Sequence, residues 1–109
     1  MITRMTLPQR RFAETFQVSH GKMNAPFIVT VGYHADGVTP GEVFIAGTKS
    51  GSDFDAVARD GAILLSLALQ HGVPLETIRH AITREGDGRP STIVGVVVDR
   101  LTGPREVES

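Results

Sequence analysis

A glycine-rich segment is the part of this sequence whose residue types and spacing are best suited to chemistry. It reads Gly47, Thr48, Lys49, Ser50, Gly51 and Ser52, and helical periodicity follows it. Backbone N–H groups at a helix start can bind an anion, and Lys49 could add a positive charge. The segment is not a Walker A loop, which needs a glycine directly before the lysine. It predicts a site for phosphate or a nucleotide; the alternative is a plain strand-to-helix connection whose glycines only permit the turn.

The remaining polar residues are better explained as structural than as catalytic. Asp53 and Asp55 follow the loop, where acids suit the positive end of a helix dipole and would also repel a phosphate. The histidines show no metal-ligand spacing; they are His20, His34, His71 and His80. There is no Gly-x-Ser-x-Gly motif and no defensible pair of catalytic carboxylates. We therefore expect no catalytic residue, no metal site and no cofactor.

Composition excludes several classes of function. The 109 residues include no cysteine, which rules out disulfides, thiolate nucleophiles and zinc–thiolate sites. The formal net charge of −1 argues against a nucleic-acid-binding protein. The N-terminal residues lack the apolar core of a signal peptide, and the longest apolar run, residues 62–69, is too short to span a bilayer. We expect a cytoplasmic protein that binds neither nucleic acid nor membranes.

Three segments before the loop have the pattern of β-strands. Residues 10–18 alternate, and one face of that segment carries Phe12, Phe16 and Val18. Residues 27–33 are rich in β-branched and aromatic types, and one face carries Phe27, Val29, Val31 and Tyr33. Residues 42–46 return after an Asp36–Gly37 turn signal. These segments predict a three-stranded antiparallel meander.

The period changes to that of a helix after the loop. Ser52 as an N-cap and Gly72 as a left-handed C-terminal cap predict a helix over residues 52–70. Apolar residues surround most of it, and a narrow polar stripe holds Asp55, Arg59, Ser66 and Gln70. A surface helix needs only one apolar stripe, so we expect this helix to be central and covered on two sides.

Two shorter helices are expected near the C-terminus. Pro74 suits the first position of a helix whose buried stripe would be Leu75, Ile78 and Ile82. Residues 92–101 are ambiguous, because a run of valines favours a strand by propensity. Ser91 as an N-cap favours a helix, as does an i, i+4, i+8 spacing of Ile93, Val97 and Leu101. We predict a helix there.

The whole pattern indicates an α+β fold, with a three-stranded antiparallel meander followed by a long central helix and two shorter helices. We expect one domain over residues 11–101, between a flexible arm at 1–10 and a flexible tail at 102–109. A chain of this size has few other residues that could cover every apolar helix face. We therefore expect a homo-oligomer, and a two-fold dimer is the commonest closed form.

The order of these elements resembles a known family. The segments that carry the likeness are Glu42–Ile45, the Gly47–Asp53 loop, and the Leu64-Leu65-Ser66-Leu67-Ala68-Leu69-Gln70-His71-Gly72-Val73-Pro74 helix end. Together they resemble the TSCPD domain, which is found at the C-terminus of class II, cobalamin-dependent ribonucleotide reductases and as small free-standing proteins. The likeness runs from about Arg11 to Leu101.

The sequence departs from the family pattern at its cysteines. Members attached to reductases carry cysteines after the first strand, after the Gly-Ser of the loop, and before the last helix. Here those regions are residues 21–23, 52–53 and 88–90, and none contains a thiol. An electron-shuttling or metal role therefore does not carry over, and the reductase's catalytic barrel and cobalamin site are absent from this sequence.

The resemblance implies a non-catalytic interaction or regulatory domain that binds a protein partner. A ribonucleotide reductase is the partner it suggests, with docking in deoxyribonucleotide synthesis as the role. The alternative from another functional class is a sensor of a small anionic ligand that uses the loop at residues 47–52.

Overall fold

The computed structural model describes residues 12–19, 26–47 and 53–103. Three strands come first: β1 (Ala13–Val18), β2 (Phe27–Tyr33) and β3 (Pro40–Gly47). Three helices follow: α1 (Asp53–Gln70), α2 (Leu75–Ala81) and α3 (Ile93–Thr102). The predicted α+β fold is confirmed, as is the choice of a helix over a strand for the last element.

The strands form one antiparallel sheet in the order β1-β2-β3. β1 is shorter than expected, because its pairing with β2 begins at Ala13; Arg10 and Arg11 lie outside the described residues. The predicted turn between β2 and β3 is confirmed: Gly37 has a φ of 70°, and the Asp36 carboxylate accepts hydrogen bonds from the backbone N–H of Val38 and Thr39. This turn places β3 directly beside β2.

One face of the sheet packs against the helices and forms the core. β2 contributes the side chains predicted for it, and all are almost fully buried: Phe27, Val29, Val31 and Tyr33. Val43 and Ile45 of β3 lie beside them. α1 supplies Ala58, Ala62, Leu65 and Leu69 to this core, and the two alanines let the first half of the helix approach the sheet closely. The opposite face of the sheet carries a cross-strand row of Thr15, Thr30 and Phe44, and Phe44 is exposed.

Beside these apolar residues, two side chains of the predicted polar stripe of α1, Ser66 and Gln70, face β3 and are buried. The Ser66 hydroxyl accepts a hydrogen bond from the backbone N–H of Val43 (2.8 Å) and donates one to the carbonyl oxygen of the same residue (3.0 Å). The Gln70 amide donates to the carbonyl oxygen of Gly41 (2.8 Å). α1 therefore covers the edge of β3 that does not pair with β2 and satisfies its backbone groups, as natural sheets require of an edge. We call this row of contacts the β3–α1 seam.

Within one chain, only one side of α1 is covered among the described residues. Five large apolar side chains of the helix are exposed: Phe54, Val57, Ile63, Leu64 and Leu67. The physical reason is the seam, because polar side chains that bond to a strand edge must point inward. The helix is thereby rotated so that these five side chains point away from the sheet, and cover of its second side by the expected homo-oligomer stays a prediction.

The ends of the helices differ in detail from the sequence expectations. Gly72 has a φ of 87° and ends α1 as predicted. Pro74 is the N-cap of α2 rather than its first helical residue, because its ψ of 142° is extended. The predicted cap of α3, Ser91, is wrong by one position: Thr92 accepts the hydrogen bond from Gly95 N–H (3.1 Å). Ser91 instead donates to the carboxylate of Glu85 (2.5 Å).

Arg84 joins α2, the following loop and α3. Its guanidinium donates to both carboxylate oxygens of Asp99 (2.6 and 2.9 Å) and to the carbonyl oxygens of Arg79 and Gly88. A two-pronged pairing of this kind is stronger and more directional than a single hydrogen bond. The bonds from Arg84 lower the pKa of Asp99 below its ordinary value of 3.8. Asp99 is therefore ionised at neutral pH and holds α3 to the loop.

Replacing Ser66 with alanine should lower the free energy of unfolding by about 1–3 kcal/mol, because two buried backbone groups of Val43 lose their partner. Ser91→Ala is the matched control, since its hydroxyl bonds to an exposed carboxylate, and it should cost less than about 0.5 kcal/mol. Chemical denaturation followed by circular dichroism measures both. Equal losses in the two variants would contradict a special role for the seam.

The Asp99 pairing should make stability depend on pH in the acid range. A carboxyl with a lowered pKa in the folded state contributes stability that is present above the unfolded value of 3.8 and is lost as the pH falls through the folded value. Asp99→Asn should therefore be less stable than the parent at neutral pH, and the difference should narrow as the pH falls below 3.8. Asp87→Asn, on an exposed loop pair, is the control. A difference that stays constant down to acid pH would refute the assignment.

Candidate functional site

The predicted anion loop begins where β3 ends. Gly47 is the last residue of β3, whereas Thr48, Lys49, Ser50, Gly51 and Ser52 lie outside the described residues. The Gly47 N–H donates a hydrogen bond to Asp55 Oδ1 at 2.7 Å, in the first turn of α1. The structure thus shows a carboxylate of the chain itself bound to the backbone where the loop starts.

Asp55 is held in its ionised form by two donors. The Gly47 N–H is the larger influence and Arg59 the second, and together they lower the pKa of the Asp55 carboxyl below its usual value. Arg59 Nε lies 3.1 Å from Asp55 Oδ2, and the two residues form an i,i+4 ion pair on α1. The Asp55 side chain is buried. Its fixed negative charge disfavours a second anion at Gly47, so the anion prediction now depends on residues 48–52 and stays a prediction.

Sequence reasoning missed the bond between Asp55 and Gly47. It treated Asp55 as a partner of the helix dipole, which needs only a place in the first turn. The bond joins the end of a strand to the start of a helix, eight residues apart. The sequence contained one signal for this bond: an acidic residue follows shortly after a glycine at the end of a predicted strand.

The histidines described have structural partners or no metal-binding neighbours. His71 Nδ1 lies 2.8 Å from the carbonyl oxygen of Leu67 at the C-terminal end of α1. His80 Nε2 lies 3.1 Å from a Glu76 carboxylate oxygen on exposed α2. His34 is buried beside the β2–β3 turn, and His20 lies outside the described residues. Within residues 12–19, 26–47 and 53–103, no group of three acidic or histidine residues is arranged to hold a metal ion.

The buried polar side chains of α1 are used to hold the fold together. Ser66 bonds to both backbone groups of Val43, and Gln70 bonds to the backbone of Gly41. A serine that acts as a nucleophile needs a neighbouring base to take its proton, whereas the Ser66 proton is donated to a backbone carbonyl. These contacts stabilise the β3–α1 seam and leave Ser66 without the activation that nucleophilic attack requires.

The most prominent surface feature is the outward side of α1. Five large apolar residues there are exposed, by fractions from 37% at Leu67 to 68% at Leu64; the set is Phe54, Val57, Ile63, Leu64 and Leu67, and we call it the α1 apolar face. Several exposed large apolar side chains on one helix make this side a candidate surface for contact with other proteins or with ligands. No helix among the described residues is long and apolar enough to cross a membrane. The sequence indicated that α1 is apolar on several sides, and we expected those sides to be covered.

The comparison with protein-family models gives one match. The TSCPD domain model matches residues 3–103, which is nearly the whole chain and includes the loop, the β3–α1 seam and the α1 apolar face. No curated protein and no solved structure matches the chain.

Titration with inorganic phosphate tests the anion site predicted for residues 47–52. If the site exists, backbone amide NMR signals of residues 48–52 should shift at millimolar phosphate, and Lys49→Ala should weaken the binding by removing a positive charge. Lys22→Ala removes the same charge at another position and should leave the shifts unchanged. Signals that do not move, or that move mainly outside the loop, would contradict the site.

Proposed function

Because the chain belongs to the TSCPD domain family, we propose that it is a non-catalytic interaction domain that acts by binding another protein. The observation that carries this proposal is the α1 apolar face. α1 buries Ser66 and Gln70 against β3 and presents five large apolar side chains to water on its other side. A helix oriented in this way reaches its most favourable state when another protein covers it.

The energetics support a protein as the occupant of this face. Moving one large apolar side chain from full exposure to full burial contributes about 1.5–3 kcal/mol. The face has several such side chains on one helix, so covering it would contribute part of the free energy that must offset the entropy lost on association. A small anion would gain nothing from apolar surface, and it would meet the charge of Asp55 beside Gly47. The sensor alternative is therefore the less favoured of the two functions.

The expected partner is a cobalamin-dependent ribonucleotide reductase. The resemblance links related domains to such reductases, either as their C-terminal module or as free-standing proteins. This chain has no cysteine, so its part in a complex would be to bind or regulate rather than to transfer electrons. We propose docking to a reductase in deoxyribonucleotide synthesis, in the cytoplasm.

The purified chain should show no ribonucleotide reduction, with or without cobalamin, because it has no thiol to form or quench a radical. Mixed with the cobalamin-dependent reductase of the same genome, it should co-sediment in analytical ultracentrifugation. An unrelated enzyme of similar size, mixed at the same concentration, is the control. Turnover by this chain alone would overturn the non-catalytic assignment, and separate sedimentation at micromolar concentrations would remove the reductase as the partner.

A further inference from the structure

We propose that the free edge of β1 pairs with the same edge of a second copy of this chain, antiparallel and about a two-fold axis at Thr15. Two three-stranded sheets would thereby join into one continuous sheet. This surface is separate from the α1 apolar face, because α1 lies along β3 at the opposite edge of the sheet. The inference goes beyond the proposed function, since it assigns a second interaction surface, its partner and the register of the pairing.

β1 presents a row of unpaired backbone groups at its free edge. In an antiparallel ladder, successive residues direct their N–H and C=O groups alternately toward and away from the neighbouring strand. The Tyr33 N–H donates to the carbonyl oxygen of Phe12 (2.9 Å), so the even-numbered residues of β1 face β2. Ala13, Thr15 and Gln17 therefore direct their backbone groups outward, and all three residues are exposed. Among the described strands, only β2 pairs with β1.

Nothing within β1 blocks the addition of another strand. Natural sheets protect an edge with a proline, a bulge or charges. β1 has no proline, and its register with β2 is regular throughout. Its one charged residue, Glu14, accepts a hydrogen bond from the Tyr33 hydroxyl (2.6 Å) on the core side of the sheet. The edge of β3 is already covered by Ser66 and Gln70 of α1, so pairing of two β1 edges leaves a sheet that is covered at both ends.

The backbone restricts the register of this pairing. Outward-directed residues must lie opposite outward-directed residues, and an axis at Thr15 places Ala13 opposite Gln17 of the partner subunit. Every outward group of β1 then has a partner within the other β1 strand. Moving the axis to Glu14 would leave Gln17 opposite a residue beyond the partner's strand, and moving it to Phe16 would do the same to Ala13. Thr15 is therefore the position that forms the most hydrogen bonds.

The charges beside β1 select the same register. The guanidinium carbon of Arg100 in α3 lies 4.2 Å from the centre of the Phe16 ring, and Arg100 is exposed. Within residues 12–19, 26–47 and 53–103, neither Glu14 nor Arg100 has an oppositely charged partner. With the axis at Thr15, Glu14 lies opposite Phe16 of the partner subunit, beside the Arg100 that covers that ring. An axis at Glu14 would instead place two carboxylates directly opposite each other, which opposes pairing.

These charges favour a second copy over an unrelated strand. Any extended segment could bond to the outward backbone groups of β1, because those groups carry no sequence information. A second copy also brings an arginine to Glu14 and a carboxylate to Arg100, and the two-fold axis forms this ion pair twice. On the outer face of the sheet, Thr15 Oγ1 lies 3.3 Å from Thr30 Oγ1, and the side chains that meet across the axis are uncharged.

Sedimentation equilibrium should give twice the chain mass of 11.7 kDa for the parent protein. Thr15→Pro should be monomeric over the same range of concentration, because it removes both N–H groups at the centre of the pairing. Proline is tolerated on an edge strand when the missing N–H faces solvent, so the fold should survive, as circular dichroism would verify. Thr15→Val is the matched control, since it keeps the N–H and should stay dimeric.

A mixing experiment tests the register. Glu14→Lys and Arg100→Glu should each weaken the dimer by about tenfold, because each homodimer would then hold two like-charged contacts. An equimolar mixture of the two variants should form a heterodimer about as stable as the parent dimer, since both of its contacts join opposite charges. Glu76→Lys and Arg89→Glu make the same changes in charge on exposed side chains away from β1, and both should leave the dimer unchanged.

Amide hydrogen exchange identifies the edge directly. Exchange at Ala13, Thr15 and Gln17 should slow as the protein concentration rises, whereas the even-numbered amides of β1 should be protected at every concentration because they bond to β2. A monomer at all concentrations, or a dimer that survives Thr15→Pro, would overturn the proposal. So would exchange at these three amides that does not depend on concentration, or a charge-variant mixture no more dimeric than its components.

Discussion

Hydrogen bonds from α1 to the open edge of β3 determine how the rest of the chain is arranged. A buried backbone N–H or C=O without a partner costs about 1–3 kcal/mol, so the edge must be satisfied if the helix is to cover it. Ser66 and Gln70 meet that requirement from one side of the helix, and Asp55 meets it at the end of the strand. Once these three side chains point inward, the rotation of α1 about its own axis is fixed. Its outward side then carries the residues of the α1 apolar face.

Periodicity in the sequence was enough to predict the elements but not the rotation of α1. The alternation in residues 27–33 predicted the buried face of β2, because a half-buried strand has only one plausible inward side. A helix with apolar residues on several sides does not reveal which side is buried. The sequence favours Ser66 and Gln70 on the outward side of α1, because removing a polar group from water costs free energy. The backbone groups of a strand edge offset that cost, since they replace the hydrogen bonds to water. The edge belongs to a distant part of the chain, so a local pattern cannot show it.

The candidate site, like the fold, was only partly predictable from the sequence. The position of the glycine-rich loop between β3 and α1, and the pairing of Asp55 with Arg59, follow from local spacing. The contact of Asp55 with Gly47 depends on how the chain turns between strand and helix. The exposure of Phe54, Val57, Leu64 and Leu67 could not be predicted from local spacing, because it depends on which side of α1 faces β3. The functional conclusion therefore comes from the burial of polar residues as much as from the exposure of apolar ones.

The β3–α1 seam also has a consequence for the order in which the chain folds. The β2–β3 hairpin joins segments separated by a short turn, whereas the seam joins Val43 to Ser66, 23 residues apart. Contacts between nearby segments close at a smaller entropic cost and form sooner. We therefore expect the hairpin to form no later than the seam, and the edge of β3 is a template for strands of other chains whenever α1 does not cover it. A weakened seam should expose that edge more often, and we expect it to lower the yield of folded protein during synthesis even where the finished fold tolerates it.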